Sequence, residues 1–153
     1  MSKVTVIGAG LAGCEAVWAL ANRGIEVALH EMKPEKYSPA HHYPGFAELV
    51  CSNSLKAMRI NSAAGLLKAE MKAMGSLVVR CAEETAVSAG GALAVDREAF
   101  SDAMTRAIRA LPNVTVVNGE VTELPQGDVI VATGPLTSEA LSESIGRLCG
   151  EKY

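Results

Sequence analysis

The segment Val4-Thr-Val-Ile-Gly8-Ala9-Gly10-Leu11-Ala12-Gly13, answered eighteen residues later by Glu31, constrains the fold of this chain more than any other stretch. Val4, Val6 and Ile7 predict a short apolar strand, and the spacing of Gly8, Gly10 and Gly13 predicts a tight turn into a helix. In that pattern the first glycine turns the chain, the second lets the backbone approach a pyrophosphate, and the third lets helix and strand pack closely. The helix start presents free N–H groups and the positive end of its dipole, both of which favour phosphate. The segment therefore predicts a dinucleotide cradle.

A glycine pattern alone is weak evidence, so its surroundings matter. Ala16, Ala19, Leu20 and Ala21 continue a small-residue helix, and Gly24 stands where a helix stop is expected. Ile25 to His30 reads as a second strand. Glu31 ends it, where a carboxylate can accept hydrogen bonds from both hydroxyls of an adenosine ribose and repel a 2′-phosphate. A purely structural β-α-β unit with an incidental acid is the alternative, and the agreement at each step favours the dinucleotide reading.

The 153 residues, 49% hydrophobic and 20% charged, fit one globular domain with a sizeable core. No apolar run approaches the roughly 20 residues of a membrane span, and the sequence enters a strand without a charged and then apolar leader, so a cytoplasmic location is expected. Cys14, Cys51, Cys81 and Cys149 are widely spread and lack metal-ligand spacing, which predicts reduced thiols and no metal site. A net charge of −3 gives no general nucleic-acid signature. Lys56, Arg59, Lys68 and Lys72 form one local basic stretch, read as a solvated helix face in preference to an RNA contact.

Beyond Glu31, a proline-rich run to Gly45 predicts a loop. A helix is expected near Ser62 to Met74, capped by Asn61 or Ser62, with Leu66, Leu67, Met71 and Met74 as its apolar positions and the methionines in the core. Leu77 to Val79 reads as a short strand, and Ala86 to Val95 as extended chain broken at Gly90-Gly91. Asp96 caps a helix carried by Phe100, Ala103, Met104, Ala107, Ile108 and Leu111 and ended by Pro112-Asn113. Val114–Val117 and Glu120–Leu124 flank Asn118-Gly119, a hairpin turn or a bulged bend. Asp128–Ala132 is a further strand. The fold class expected is α/β, a Rossmann-like, mostly parallel sheet with flanking helices and a small β element.

That last strand runs into Thr133-Gly134-Pro135. A hydrophobic strand ending in Ala-Thr-Gly downstream of an N-terminal glycine cradle resembles the second nucleotide-binding motif of flavoproteins of the glutathione-reductase type, which favours FAD over NAD. The blocks Pro39-Ala-His41-His42, Phe46-Ala-Glu-Leu-Val-Cys51-Ser52-Asn53-Ser-Leu55, Gly65-Leu-Leu-Lys68-Ala-Glu70-Met and Gly90-Gly-Ala-Leu-Ala-Val-Asp96-Arg97 are more specific. Together they resemble the folate- and FAD-dependent tRNA (uracil-5-)-methyltransferase family along the whole chain.

The resemblance implies a reaction in which 5,10-methylenetetrahydrofolate supplies a carbon to C5 of a uridine in the tRNA T-loop. Reduced FAD supplies the electrons that turn methylene into methyl, and NADH or NADPH regenerates it. It places Gly8, Ala9, Gly10, Leu11, Ala12, Gly13 and Glu31 on the FAD phosphates and ribose, Met32 and Lys33 beside the adenosine, Val121 near the adenine, and Gly134 at the second motif. Cys51, with Ser52 and Asn53, matches the cysteine beside the flavin ring, a catalytic or flavin-protecting residue. His41 and His42 match a loop near flavin or substrate. Asp96 is read first as a helix cap, and Arg97 has no assigned direction. Residues 1–153 correspond to the N-terminal segment of an FAD-binding domain, short of the family's second cysteine, so methylation by this segment alone is not expected. A sister flavoprotein family acting on the tRNA wobble uridine with a partner GTPase, and a non-catalytic FAD-binding module, are the competing readings.

Overall fold

A computed structural model of the chain describes residues 3–150. The first strand, β1 (Lys3–Ile7), leads through the glycine turn into helix α1 (Leu11–Ala21), and β2 (Glu26–Glu31) returns parallel to β1 in the register Lys3 to Glu26 through Ile7 to His30. Residues 32–53 carry no regular element. A short strand β3 (Ser54–Ala57) precedes helices α2 (Ala63–Ala73) and α3 (Leu77–Glu84), and β4 (Ala86–Val87) and β5 (Ala92–Val95) complete a small antiparallel sheet in the order β3-β5-β4. Helix α4 (Arg97–Arg109) then delivers β6 (Val114–Asn118) to the outer side of β2. Strand β7 (Val129–Val131) lies on the other side of β1, followed by α5 (Glu139–Cys149).

The main sheet is parallel throughout, in the order β6-β2-β1-β7. Its inner strands β1 and β2 bury Val6, Val27 and Leu29 almost completely, as expected for strands covered on both faces. Cys14 and Val17 of α1, Leu77 and Cys81 of α3, and Phe100, Met104 and Ile108 of α4 join them in one core with Phe46 of the long loop. The α/β class and the mostly parallel sheet agree with the sequence reading.

Four local expectations need correction. Leu77–Val79 is the first turn of α3, not a strand: Ser76 Oγ accepts the Val79 N–H at 3.2 Å, and Glu15 of α1 accepts the N–H groups of Leu77 and Val78 at 3.1 and 2.9 Å. Residues 120–124 form no strand, so Asn118-Gly119 is not a hairpin; β6 pairs with the distant β2, and the Gly119 N–H extends that pairing to the Glu31 carbonyl. The apolar positions of α2 are not core. Ser62 caps that helix as expected, but Leu66, Leu67 and Met74 are exposed, as is Met58 before it, and among the described methionines Met104 is the one fully buried. Lys68 is not on a solvated face: it is buried, and its ammonium donates to the carbonyls of Leu55 and Ala64 at 2.6 and 2.8 Å.

Candidate functional site

The carboxyl ends of all four parallel strands open onto one cleft. Ile7 to Gly10 follow β1, His30 to Lys33 end β2, Gly119 to Val121 follow β6, and Ala132 and Thr133 follow β7. The strand order reverses at β1, which pairs with β2 on one side and β7 on the other. Such a switch point is where open parallel sheets bind ligands.

The three glycines of the first turn have distinct surroundings. Gly8 has a φ of +97°, and a Cβ there would stand 2.8 Å from the Ala132 carbonyl oxygen. A Cβ on Gly13 would collide with the Gly8 carbonyl, so the third glycine is what lets the start of α1 close onto the turn. At Gly10 a Cβ would meet nothing within 4 Å, and this residue lines the cleft. The chain itself therefore does not require glycine at position 10; a ligand occupying that space would. Gly10 also supplies no side-chain cap to α1, whereas Ser62, Ser76 and Asp96 cap α2, α3 and α4. The donors at the start of α1 are thus left for an anion.

Glu31 is 6% exposed, with one carboxylate oxygen accepting the Ala9 N–H at 2.8 Å and the other the Lys33 N–H at 2.9 Å. Each oxygen keeps a lone pair, so the carboxylate is fixed in direction and can still accept from a pair of ligand hydroxyls. Met32 and Val121 line the same cleft. Lys33 lines it too, but its ammonium turns into the long loop, donating to the carbonyls of Tyr43 at 3.0 Å and Gly45 at 2.6 Å and pairing with Glu48 at 3.4 Å. Glu48 in turn accepts the N–H groups of His42 and Tyr43. Its partial burial pushes its carboxyl up, but those two hydrogen bonds and the Lys33 charge outweigh this and hold it below its ordinary value.

Not every predicted site residue joins the cleft. Leu11, Ala12 and Gly13 lie in the first turn of α1 behind it, and Gly134, at φ +66°, opens a short 3-10 turn whose neighbours Thr133 and Leu136 line it. Cys51 and Ser52 are exposed on the loop before β3. Asn53 is fixed to β5: its side chain donates to the Val95 carbonyl at 3.0 Å, and its own carbonyl accepts the Val95 N–H at 2.9 Å. Asp96 accepts the Ala99 N–H at 2.9 Å, a helix cap as read. Burial, reinforced by the charge of Glu31, pushes the Cys14 thiol far up, which makes it core and no nucleophile. The cleft also includes Ser38, Glu48, Glu120 and Leu141, for which the sequence carries no motif outside the family blocks. Among the described residues, no group of three or more His, Cys, Asp or Glu could hold a metal ion, and no helix is long and apolar enough to cross a membrane.

A family model described as "Glucose inhibited division protein A" matches residues 3–151. The chain belongs to that family. Within the glucose inhibited division protein A family, proteins named methylenetetrahydrofolate--tRNA-(uracil-5-)-methyltransferase TrmFO are close in sequence. The one from Geotalea uraniireducens (strain Rf4) is 61% identical over 150 residues, which cover 97% of this chain and 34% of that protein. The one from Bacillus subtilis (strain 168) is 57% identical over 150 residues, covering 98% and 34%. The chain thus spans about a third of the length of these relatives. Among solved structures, NikD, an unusual amino acid oxidase, superposes with a TM-score of 0.57 at 16% identity, covering 95% of this chain and 55% of that one. At that identity the likeness concerns the fold, and it agrees with a Rossmann-like domain.

Proposed function

We propose that this chain is the FAD-binding segment of a cytoplasmic enzyme that methylates C5 of a uridine in the tRNA T-loop. Methylenetetrahydrofolate is the carbon donor and NADH or NADPH the source of electrons. The observation that carries the reading is 57–61% identity, over nearly the whole chain, to proteins that bear the name of this activity. The cleft supports its cofactor half: open space at Gly10, an uncapped helix start, and a buried carboxylate with spare lone pairs fit the phosphates and ribose of a dinucleotide.

In this reading the backbone of Gly8, Ala9, Gly10, Leu11, Ala12 and Gly13 receives the pyrophosphate, and Glu31 receives the ribose hydroxyls. Met32, Lys33 and Val121 bound the adenosine, and Gly134 clears the second motif. Bound FAD supplies the electron pair that converts a folate-derived methylene into a methyl group. Cys51 is exposed and so accessible to reacting groups, and the Asn53–Val95 hydrogen bonds fix the Cys51-Ser52-Asn53 block against β5. The tRNA and folate engage the longer protein of which this segment is the dinucleotide-binding part.

Two measurements test the reading. Deleting the gene for this chain in its host should abolish 5-methyluridine in the T-loop of bulk tRNA; loss confined to a wobble-uridine modification would assign it to the sister family instead. Purified chain titrated with FAD should quench flavin fluorescence saturably, and the absence of any such binding would remove the cofactor assignment.

A further inference from the structure

We propose that His41 supplies the cationic hydrogen bond to the phosphates of the bound dinucleotide, taking up a proton as the ligand enters. The proposal rests on the dinucleotide reading of the cleft and names the residue that balances its charge. The lining carries three carboxylates, Glu31, Glu48 and Glu120, against one ammonium, Lys33. Lys33 is consumed by the Tyr43 and Gly45 carbonyls and by Glu48, and Glu120 is paired with Lys36 at 2.6 Å. A pyrophosphate brings two further negative charges, and the remaining lining groups able to become cationic are the imidazoles of His30 and His41.

The two imidazoles are not equivalent. Burial, together with the positive charge of Lys3, holds His30 below its ordinary value and favours its neutral form. His41 instead has its Nδ1 2.6 Å from the hydroxyl of buried Ser38, whose oxygen also accepts the Ala40 N–H at 3.3 Å. The serine oxygen can accept from a protonated Nδ1, and Nε2 has no hydrogen-bond partner among the described residues. The charged and titratable groups around the cleft are Glu48 and Lys33 on the loop side, Glu31 and His30 on β2, and Glu120, paired with Lys36, after β6. With Lys33 and Glu120 already paired, the lining offers an entering phosphate no unpaired ammonium, which leaves the free Nε2 of His41 as the donor available to it.

Calorimetric titration of the chain with FAD at about pH 6 and about pH 8, in buffers of different ionisation enthalpy, tests this. Binding should be about fivefold to tenfold tighter at the lower pH with net proton uptake, because the phosphates of FAD stay ionised across this range while imidazole does not. His41→Gln should abolish both the pH dependence and the uptake, and bind at either pH as the unmodified protein does at the higher one. His42→Gln, at an exposed position outside the lining, should keep both. Ser38→Ala, which leaves the imidazole intact but removes its anchor, should weaken binding mainly at the lower pH. An unmodified pH profile in His41→Gln or Ser38→Ala overturns the proposal while leaving the cofactor reading in place. Absence of FAD binding by the unmodified chain removes that reading and this proposal with it.

Discussion

Gly10 and Gly13 belong to one motif, yet their surroundings give them separable roles. A methyl group at Gly13 has nowhere to go but the Gly8 carbonyl, so Gly13→Ala should cost about 3 kcal/mol in chemical denaturation, as an overpacked core site does. Gly10→Ala faces open space and should leave stability unchanged while lowering FAD affinity; equal affinity would mean that no ligand uses this space. Cys51 shows a similar separation. Because its thiol is exposed, Cys51→Ala should preserve the fold and FAD binding but reduce methyl transfer when placed in the full-length enzyme, read as methyl incorporation into tRNA. Glu48 couples a residue to pH. Its carboxyl is held below its ordinary value of 4.5 in the folded chain, so its contribution to stability is present above that value and is lost as pH falls through the lower, folded-state value. Glu48→Gln should therefore flatten the acid limb of a stability-against-pH curve below about pH 4.5.

At the level of elements, the parts legible in the sequence are those whose signals are local. The β1-turn-α1-β2 unit carries its strand, its glycines and its terminal acid within residues 4–31, and α4 carries both its cap and its 3.6-residue periodicity. The misread elements depend on distant partners. Leu77-Val-Val looks like a strand because three apolar residues in a row have no helical period; what makes it a helix is Glu15, 62 and 63 positions away, satisfying the N–H groups of Leu77 and Val78. Val114 to Leu124 looks like a hairpin because Asn-Gly favours one, yet β6 finds its partner in β2. Within the site the glycines and Glu31 were legible, whereas Ser38, Glu48 and Glu120 reach the cleft through tertiary packing and carry no periodic or spacing signal. The capping arrangement is testable by itself: Ser76→Ala should cost about 1 kcal/mol by removing the acceptor for Val79, measured by thermal or denaturant unfolding.

Taken whole, the molecule places a cleft at the end of a parallel sheet and leaves several large apolar side chains exposed around α2. Ile60, Leu66, Leu67 and Met74 project from α2 and the segment before it, although buried Lys68 and the Ser62 cap hold that segment firmly. Besides strand pairing and core packing, one side chain of α1 ties the cradle directly to the start of α3. Glu15 sits on α1 four residues after the first helical position, and it holds the hydroxyl of Ser76 and the first two amides of α3 at the same time. Exposing those amides to solvent requires parting α3 from the helix that faces the ligand. Hydrogen-deuterium exchange at Leu77 and Val78 should therefore follow the same opening as exchange in α1. Saturating FAD should slow both together, by up to about 100-fold at a hundred times the dissociation constant, although neither amide lies in the cleft. Slowing confined to α1 would show that Glu15 lets go of α3 before α1 opens.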